Sequence, residues 1–140
     1  MYNFDHQYRV CYGDTDMMGY LYYGHYARMY EIGRVETMRS IGLNYRDMEN
    51  IHGIMMPVVH VDARYLYPAK YDQLLTIRTI LSELPGRLAV FGNEIYNEDH
   101  ILLHKAEVKL FFVEMASGKK VSCPNYMLER LKPYFENKEV

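Results

Sequence analysis

The apolar and polar positions of this 140-residue chain follow two kinds of spacing, which predict one long helix accompanied by strands. Between residues 24 and 42, apolar side chains recur on one side of a projection at 100° per residue, as in an amphipathic helix. Residues 5–12 and four later segments instead alternate between apolar and polar positions, the period of a strand with one buried face. The apolar side of the predicted helix comprises Tyr26, Ala27, Tyr30, Thr37, Met38 and Ile41, with Met29 and Gly33 at its margins.

The later strands follow a connection over residues 44–57 that contains a short helical stretch at 46–50. Turn signals at 84–87, 97–100 and 117–119 separate them at intervals typical of antiparallel neighbours. The alternating segments are residues 59–67, 74–81, 88–95 and 105–112, and a short strand at 120–122 precedes a terminal helix that Pro124 opens and that reaches about Tyr134.

The apolar side of the predicted helix covers close to half of its circumference, and this width indicates the fold. One sheet that curls around a single helix explains both the wide apolar side and the number of strands. We therefore expect an α+β fold with a long central helix wrapped by a curved antiparallel sheet of five to six strands, as one domain over residues 1–140. The sheet edges need cover, so we expect at least a dimer.

Arg34 lies within the apolar side of the predicted helix, where an unpaired charge is costly. Glu31 is three residues earlier, and residues at this spacing are neighbours on a helix surface. We expect the two side chains to form an intrahelical ion pair with a structural role.

Composition narrows the class of protein. The formal net charge of −2 provides no electrostatic footprint for nucleic acid, and no run of eighteen apolar residues predicts a membrane span. Cys11 and Cys123 are far apart in sequence, which excludes a zinc-type spacing or a disulfide framework. The first residues lack the basic and apolar segments of a signal peptide, so we expect a cytoplasmic protein. We expect no metal site, because the remaining histidines are scattered without the spacing of metal ligands: His6, His52, His60, His100 and His104.

Residues 13–19, with the sequence Gly-Asp-Thr-Asp-Met-Met-Gly, place two carboxylates on a turn just ahead of the predicted helix. A helix start presents unpaired N–H groups that stabilise an anion or a polarised carbonyl oxygen. A carboxylate beside it favours acyl-transfer chemistry. Either acid is also suited to capping the turn through the local backbone, and the spacing alone leaves capping and catalysis open.

Two stretches of the sequence resemble a known family. Residues 12–23, followed by Tyr26, Tyr30 and Glu31 on the helix, are similar to the first motif of the 4-hydroxybenzoyl-CoA thioesterase branch of the hotdog-fold acyl-CoA thioesterases. Residues 67–75, Tyr-Pro-Ala-Lys-Tyr-Asp-Gln-Leu-Leu, resemble the second recurring stretch of that family, at a turn between two strands. The resemblance extends over nearly the whole chain.

The resemblance implies a role for particular residues. It identifies Asp16 as the catalytic carboxylate, acting as nucleophile or general base, and leaves Asp14 to hold the turn. It assigns the oxyanion-binding amide to Tyr23, at the start of the helix. It associates Gly24, beside that amide, and Arg87, for the coenzyme A phosphates, with substrate binding. The histidine of related branches falls at the position of Tyr23, so no role transfers to His25 directly, and we expect His25 to lie at the helix start or line the substrate pocket.

The function that the resemblance implies is hydrolysis of an acyl-CoA thioester to a free carboxylic acid and coenzyme A, without a metal or another cofactor. Active sites at a dimer interface are implied, in a homodimer or homotetramer. Fifteen tyrosines suit an aromatic or a short to medium aliphatic acyl group. Two alternatives have the same fold: a non-catalytic acyl-CoA-binding sensor or scaffold, and a hydratase, which requires a histidine and an acid facing each other across the pocket.

Overall fold

A computed structural model describes residues 1–136 of the chain. The strands are β1 (Tyr2–Arg9), β2 (Ile54–Met55), β3 (Val58–Tyr65), β4 (Leu74–Leu81), β5 (Leu88–Tyr96), β6 (Leu102–Glu114) and β7 (Lys120–Val121). The helices are α1 (Tyr26–Ser40), α2 (Tyr45–Asn50) and α3 (Asn125–Leu131). Single 3-10 turns cover Tyr12–Asp14, Tyr23–His25 and Lys132–Tyr134.

The sheet is antiparallel throughout, in the order β1-β4-β5-β6-β3. The two short strands, β2 and β7, pair with the C-terminal end of β6. The predicted α+β class, a long helix with an antiparallel sheet, is confirmed. Within residues 1–136 the sheet has seven strands rather than five or six, because β2 lies in the segment predicted to be only a connection.

Helix α1 packs across β1, β4 and β5 and buries its apolar side against them. Its closest approach is at Gly33, where an added Cβ would lie 2.6 Å from Thr79 Oγ1 and 2.7 Å from Ile77 Cγ2. The absence of a side chain at this position is therefore what lets the helix backbone approach β4. The buried residues of α1 are Tyr26, Met29, Tyr30, Gly33, Arg34, Thr37 and Met38.

The predicted apolar side of the helix is largely correct, with Ala27 as the exception. Ala27 is exposed, because the sheet contacts α1 on the side that contains Met29 and Gly33. The helix ends at Ser40, and Gly42 follows shortly after it as predicted.

The predicted ion pair of Arg34 with Glu31 is wrong. Arg34 is 6% exposed, and its Nε donates a hydrogen bond to the Tyr45 hydroxyl at 3.0 Å. Glu31 forms no ion pair within residues 1–136. Tyr45 is the first residue of α2. The buried guanidinium of Arg34 therefore links α1 to α2 and does not pair with a residue of its own helix.

Strand β1 lies three residues earlier than the predicted strand over residues 5–12, although the alternation is correct. The reason is the backbone N–H of Cys11, which donates to the Asp14 carboxylate at 2.8 Å instead of to a neighbouring strand. Asp14 thus draws the chain out of the sheet and into the Tyr12–Asp14 turn.

The close approach at Gly33 makes a direct prediction about stability. Gly33→Ala adds a methyl group with no room at the contact with β4, and we expect it to lower the free energy of unfolding by about 1–3 kcal/mol despite the better helix propensity of alanine. Urea unfolding measures the change. Gly86→Ala is the matched control, because an added Cβ there meets nothing within 4 Å, and it should change stability by less than about 0.5 kcal/mol. Equal effects of the two substitutions would contradict the packing argument.

Candidate active site

The two acids of the first motif, Asp14 and Asp16, lie in a tight loop ahead of α1. The backbone N–H of Asp16 donates to the Tyr20 carbonyl at 2.9 Å, and Thr15 is bridged to Leu21. Gly19 has a φ of 79°, a conformation that glycine adopts without steric cost. The loop is therefore a closed hairpin that presents residues 16–18 at its tip.

The second motif is hydrogen-bonded to this loop. The Leu21 N–H donates to the Ala69 carbonyl at 2.7 Å, and Tyr20 is bridged to Lys70. The two stretches that carry the family resemblance are thus in direct contact, although they are separated by some fifty residues of sequence.

Asp14 faces inward and holds the loop. It is 5% exposed, and its Oδ2 accepts hydrogen bonds from the Tyr8 hydroxyl at 2.7 Å and from the Cys11 N–H at 2.8 Å. Arg28 Nη1 lies 3.6 Å from Oδ1. These contacts occupy both carboxylate oxygens and correspond to the turn-holding role expected for Asp14.

Asp16 has a different environment. Its Oδ1 accepts the backbone N–H groups of Met18 at 2.9 Å and Tyr20 at 3.2 Å. No hydrogen bond within residues 1–136 uses Oδ2. The carboxylate is therefore oriented through one oxygen and keeps the other free of hydrogen bonds within these residues, and Asp16 lines a cavity of about 350 Å³. The capping interaction considered for this residue is real, and it leaves half of the carboxylate free.

The start of the helical segment contributes to the same cavity through Tyr23. Tyr23 is the first residue of the 3-10 turn that leads into α1, and no hydrogen bond within the described chain uses its backbone N–H. Tyr23, at the positive end of the helical segment, and Asp16 thus line one cavity, which is of a size that holds a small ligand group.

Gly24 and His25 complete the turn but do not line the cavity. Gly24 is exposed, and an added Cβ would lie 2.6 Å from the Tyr22 ring. The His25 ring is half-buried and meets Tyr22 edge-on, with 5.5 Å between the ring centroids. Both residues lie beside the Tyr23 amide, where the sequence predicted them.

Arg87 is remote from this cavity within its own chain. It directly precedes β5, and its guanidinium donates to the Lys120 carbonyl at 3.4 Å. Ile95 of β5 pairs with His104, whose ring packs against Tyr65 of the cavity wall. Arg87 is eight positions from Ile95 along the extended strand, which corresponds to roughly 26 Å.

The far wall of the cavity comes from the end of β3 and the loop after it. Tyr65, Leu66, Tyr67 and Pro68 line it. Tyr65 is 54% exposed and packs edge-on against Tyr26 of α1, with 5.1 Å between the ring centroids. Tyr67 and Pro68 belong to the second motif, so both motifs supply walls of one site.

His104 lies behind this wall and is not among the residues predicted for the site. It is fully buried on β6, its Nε2 is hydrogen-bonded to the Tyr30 hydroxyl, and its ring stacks on Tyr26 with 4.1 Å between centroids. Burial lowers the pKa of His104 to about 4 and raises that of Tyr30, so both side chains are neutral near pH 7. The signal was present in the sequence: His104 shares the parity of Ala106 and Val108, but the predicted strand began one residue too late to include it.

Two searches of the described chain bear on other functions. No group of three or more His, Cys, Asp or Glu side chains within residues 1–136 is arranged to hold a metal ion. Over the same residues, no helix has the length and apolar character needed to cross a membrane.

An antiparallel sheet curved around one long helix is the hotdog fold, and comparison with solved structures agrees. The DHNA-CoA thioesterase of Staphylococcus aureus superposes with a TM-score of 0.86 at 25% identity, over 96% of this chain and 90% of that one. The 4-hydroxybenzoyl-CoA thioesterase of Pseudomonas sp. strain CBS-3 superposes with a TM-score of 0.83 at 24% identity, over 91% and 98% of the two chains.

Sequence relatives lead to the same family. The putative acyl-CoA thioesterase YneP of Bacillus subtilis is 32% identical over 80% of both chains, and the acyl-CoA thioester hydrolase YbgC of Escherichia coli O157:H7 is 29% identical over 89% of this chain and 92% of its own. Residues 18–104 match the sequence model of the thioesterase superfamily. The chain belongs to this superfamily and is a thioester hydrolase. The match begins two residues after Asp16, so it does not bear on that carboxylate.

The buried neutral state of His104 predicts how stability depends on pH. The folded-state pKa of about 4 lies below the ordinary value of 6.5, so between these values the unfolded chain binds a proton that the folded chain does not. Stability should therefore fall as the pH falls from about 6.5 to about 4, by the linkage relation. Urea midpoints measured across this range should show a smaller pH dependence in His104→Phe than in the wild type. His100→Asn, which changes an exposed histidine, should leave the wild-type dependence unchanged, and a slope unaffected by His104→Phe would contradict the assignment.

Proposed function

We propose that this protein is an acyl-CoA thioesterase that hydrolyses its substrate to a free carboxylic acid and coenzyme A, with Asp16 as the catalytic carboxylate. The observation that carries the proposal is that Asp16 and Tyr23, whose backbone N–H has no acceptor within residues 1–136, line one cavity. The acyl-CoA class of substrate is supported by the relatives from Bacillus subtilis and Escherichia coli, whose names specify it.

The thioester carbonyl would be bound with its oxygen towards the Tyr23 N–H. Attack on the carbonyl carbon turns this oxygen into an oxyanion, and a preorganised amide at a helix start stabilises the developing charge by about 3–4 kcal/mol. The helix dipole acts in the same direction. Because Tyr23 is the first residue of its turn, its N–H has no acceptor in the turn to compete with the substrate.

Asp16 would activate the nucleophile or act as one. In the first route its free oxygen accepts a proton from water while the water oxygen bonds to the carbonyl carbon. In the second route the carboxylate itself bonds to that carbon and forms a mixed anhydride, which water then hydrolyses. In both routes the C–S bond breaks and its electron pair leaves with the sulfur as the coenzyme A thiolate. The hydrogen bonds from Met18 and Tyr20 to Oδ1 would keep Oδ2 aimed at the carbonyl.

We further propose that the active unit is a homodimer formed through β3. One edge of β3 pairs with β6, and no strand within residues 1–136 pairs with its other edge. The strand exposes Val58, Val59, Val61 and Tyr65, each between 45% and 54%. An apolar, unpaired edge is a template for pairing with a second strand. Antiparallel pairing with the β3 of a second copy would cover this edge symmetrically.

Such a dimer would bring Arg87 of the partner chain towards the cavity. Two antiparallel β3 strands align the Tyr65 end of one with the Val58 end of the other. Val58 pairs with Leu110, and Leu110 pairs with Ala89 near the start of β5. The end of the sheet that carries Arg87 would therefore lie across the interface from Asp16, where a guanidinium suits the coenzyme A phosphates. Gly24 and His25 would border the substrate beside the Tyr23 amide.

The role of Asp16 is tested by Asp16→Asn in an assay of free thiol release from a panel of acyl-CoA thioesters. The amide cannot accept the proton or attack the carbonyl, so we expect kcat to fall by about 10²- to 10⁴-fold with the fold retained. Asp14→Asn is the matched comparison: it should mainly lower thermal stability, because Asp14 holds the loop. Full activity in a folded Asp16→Asn protein would contradict the proposal. Binding without thiol release in the wild type would indicate a sensor, and hydration of enoyl-CoA would indicate a hydratase.

The role of Arg87 across an interface is tested with mixed dimers. Arg87→Gln should raise KM for acyl-CoA by about tenfold, from the loss of a charge-assisted contact, and leave KM for an acyl-pantetheine unchanged, since that substrate lacks the phosphates. Arg46→Gln, at an exposed arginine of α2, is the control. Co-assembly of Asp16→Asn chains with Arg87→Gln chains should give one intact site per mixed dimer, and hence about half of the wild-type kcat with the wild-type KM. A KM raised about tenfold in a verified mixed dimer would contradict action from the partner.

A further inference from the structure

The start of α1 is not fixed by a capping side chain. Neither the 3-10 turn Tyr23–His25 nor α1 has a side-chain hydrogen bond at its N-cap, and neither has an acid in its first turn. A capping side chain normally satisfies and orients the first amides of a helix. The position of this helix start therefore depends on contacts that its first turn makes with other elements, of Arg28 with Asp14 and of Tyr26 with the sheet.

His104 of the sheet contacts two residues near the start of α1, Tyr26 and Tyr30. The His104 ring stacks on Tyr26, with 4.1 Å between centroids and 25° between the ring planes. Its Nε2 is hydrogen-bonded to the hydroxyl of Tyr30, one helical turn later. All three residues are at least 96% buried. Since β6 is central in the sheet, His104 connects the first turn of α1 to a rigid element.

The connection continues to the proposed oxyanion site. The backbone N–H of Tyr26 donates to the carbonyl oxygen of Tyr23. Tyr26 therefore holds the peptide group that follows Tyr23, which shares the Cα of Tyr23 with the N–H that would stabilise the oxyanion. Tyr26 also lines the cavity with Asp16 and Tyr23, so a shift of Tyr26 moves the donor relative to the carboxylate.

We propose that His104 is a positioning residue for hydrolysis, fixing the start of α1 so that the Tyr23 amide faces a thioester carbonyl held next to Asp16. The inference rests on the proposed function and adds to it a buried residue that touches neither substrate nor nucleophile. The neutral state of His104 fits this role: a buried neutral ring both stacks on Tyr26 and bonds Tyr30 without bringing a charge into the core.

A side chain that merely stabilises the core would affect folding, whereas a positioning residue affects the transition state. A donor that binds the oxyanion more strongly than the ground-state carbonyl contributes to kcat and not to KM. Displacement of a catalytic group by about 1 Å is enough to cost about 10²-fold in rate. The split between kcat and KM therefore separates the two roles.

The test compares His104→Phe, Tyr30→Phe and the double variant in the full-length protein, with an acyl-CoA that the wild type hydrolyses. His104→Phe keeps a ring to stack on Tyr26 and removes the Nε2 atom, while Tyr30→Phe removes one oxygen atom. We expect each to lower kcat by about 10- to 100-fold with KM within twofold of the wild-type value. The double variant should be no slower than the slower single variant, because the two changes break the same hydrogen bond.

Met127→Ala is the matched control, because it removes a fully buried side chain of α3, whose Arg130 lies beside Gly42 just past the C-terminal end of α1 and away from its first turn. Its kcat should equal that of the wild type at a temperature where both are folded. Wild-type kcat in folded Tyr30→Phe or His104→Phe would overturn the inference, as would a change confined to KM. If His104→Phe fails to fold, Tyr30→Phe alone decides. Failure of the proposed function gives a different result, since the wild type would then release no coenzyme A or Asp16→Asn would retain full activity.

Discussion

The close contact of α1 with β4 at Gly33 is the constraint on which the remaining structure depends. A glycine at this point lets the helix backbone settle against Ile77 and Thr79, so the helix lies within the curve of the sheet. Once its middle is fixed there, its first turn must emerge beside β6 and the end of β3. The location of the cavity is thus a consequence of helix packing.

The candidate site combines two loops with this helix start. The hydrogen bond from Leu21 to Ala69 joins the loop of the acids to the loop after β3, and each loop supplies one side of the cavity. The surroundings of the two carboxylates differ. Asp14 is enclosed by Tyr8, Cys11 and Arg28, whereas the hydrogen bonds of Asp16 within residues 1–136 use one oxygen only. The same type of side chain is therefore enclosed at one position and half available two residues later.

The single chain supplies only part of what the proposed reaction needs. The carboxylate, the amide and the aromatic walls meet within one chain, but Arg87 stands at the opposite end of β5. The exposed edge of β3 runs between these two ends of the sheet. An association through that edge would solve two problems together, because it covers exposed valines and brings a cation towards the cavity. Because one association would meet both requirements, a site shared between two chains is favoured.

The sequence by itself determined the elements whose signal is local. Alternation gave the long strands, the period of 3.6 gave α1, and the order of acid, glycine and helix start gave the loop with Asp14 and Asp16. Tertiary structure decided what depends on distant partners. Arg34 bonds Tyr45 of another helix and not Glu31, the Asp14 carboxylate ends β1 three residues early, and β2 forms only because β6 is there to pair with it. His104 is the clearest case. The alternation along β6 places it on the same face as Ala106 and Val108, but its contacts with Tyr26 and Tyr30 exist only because the sheet curves around the helix.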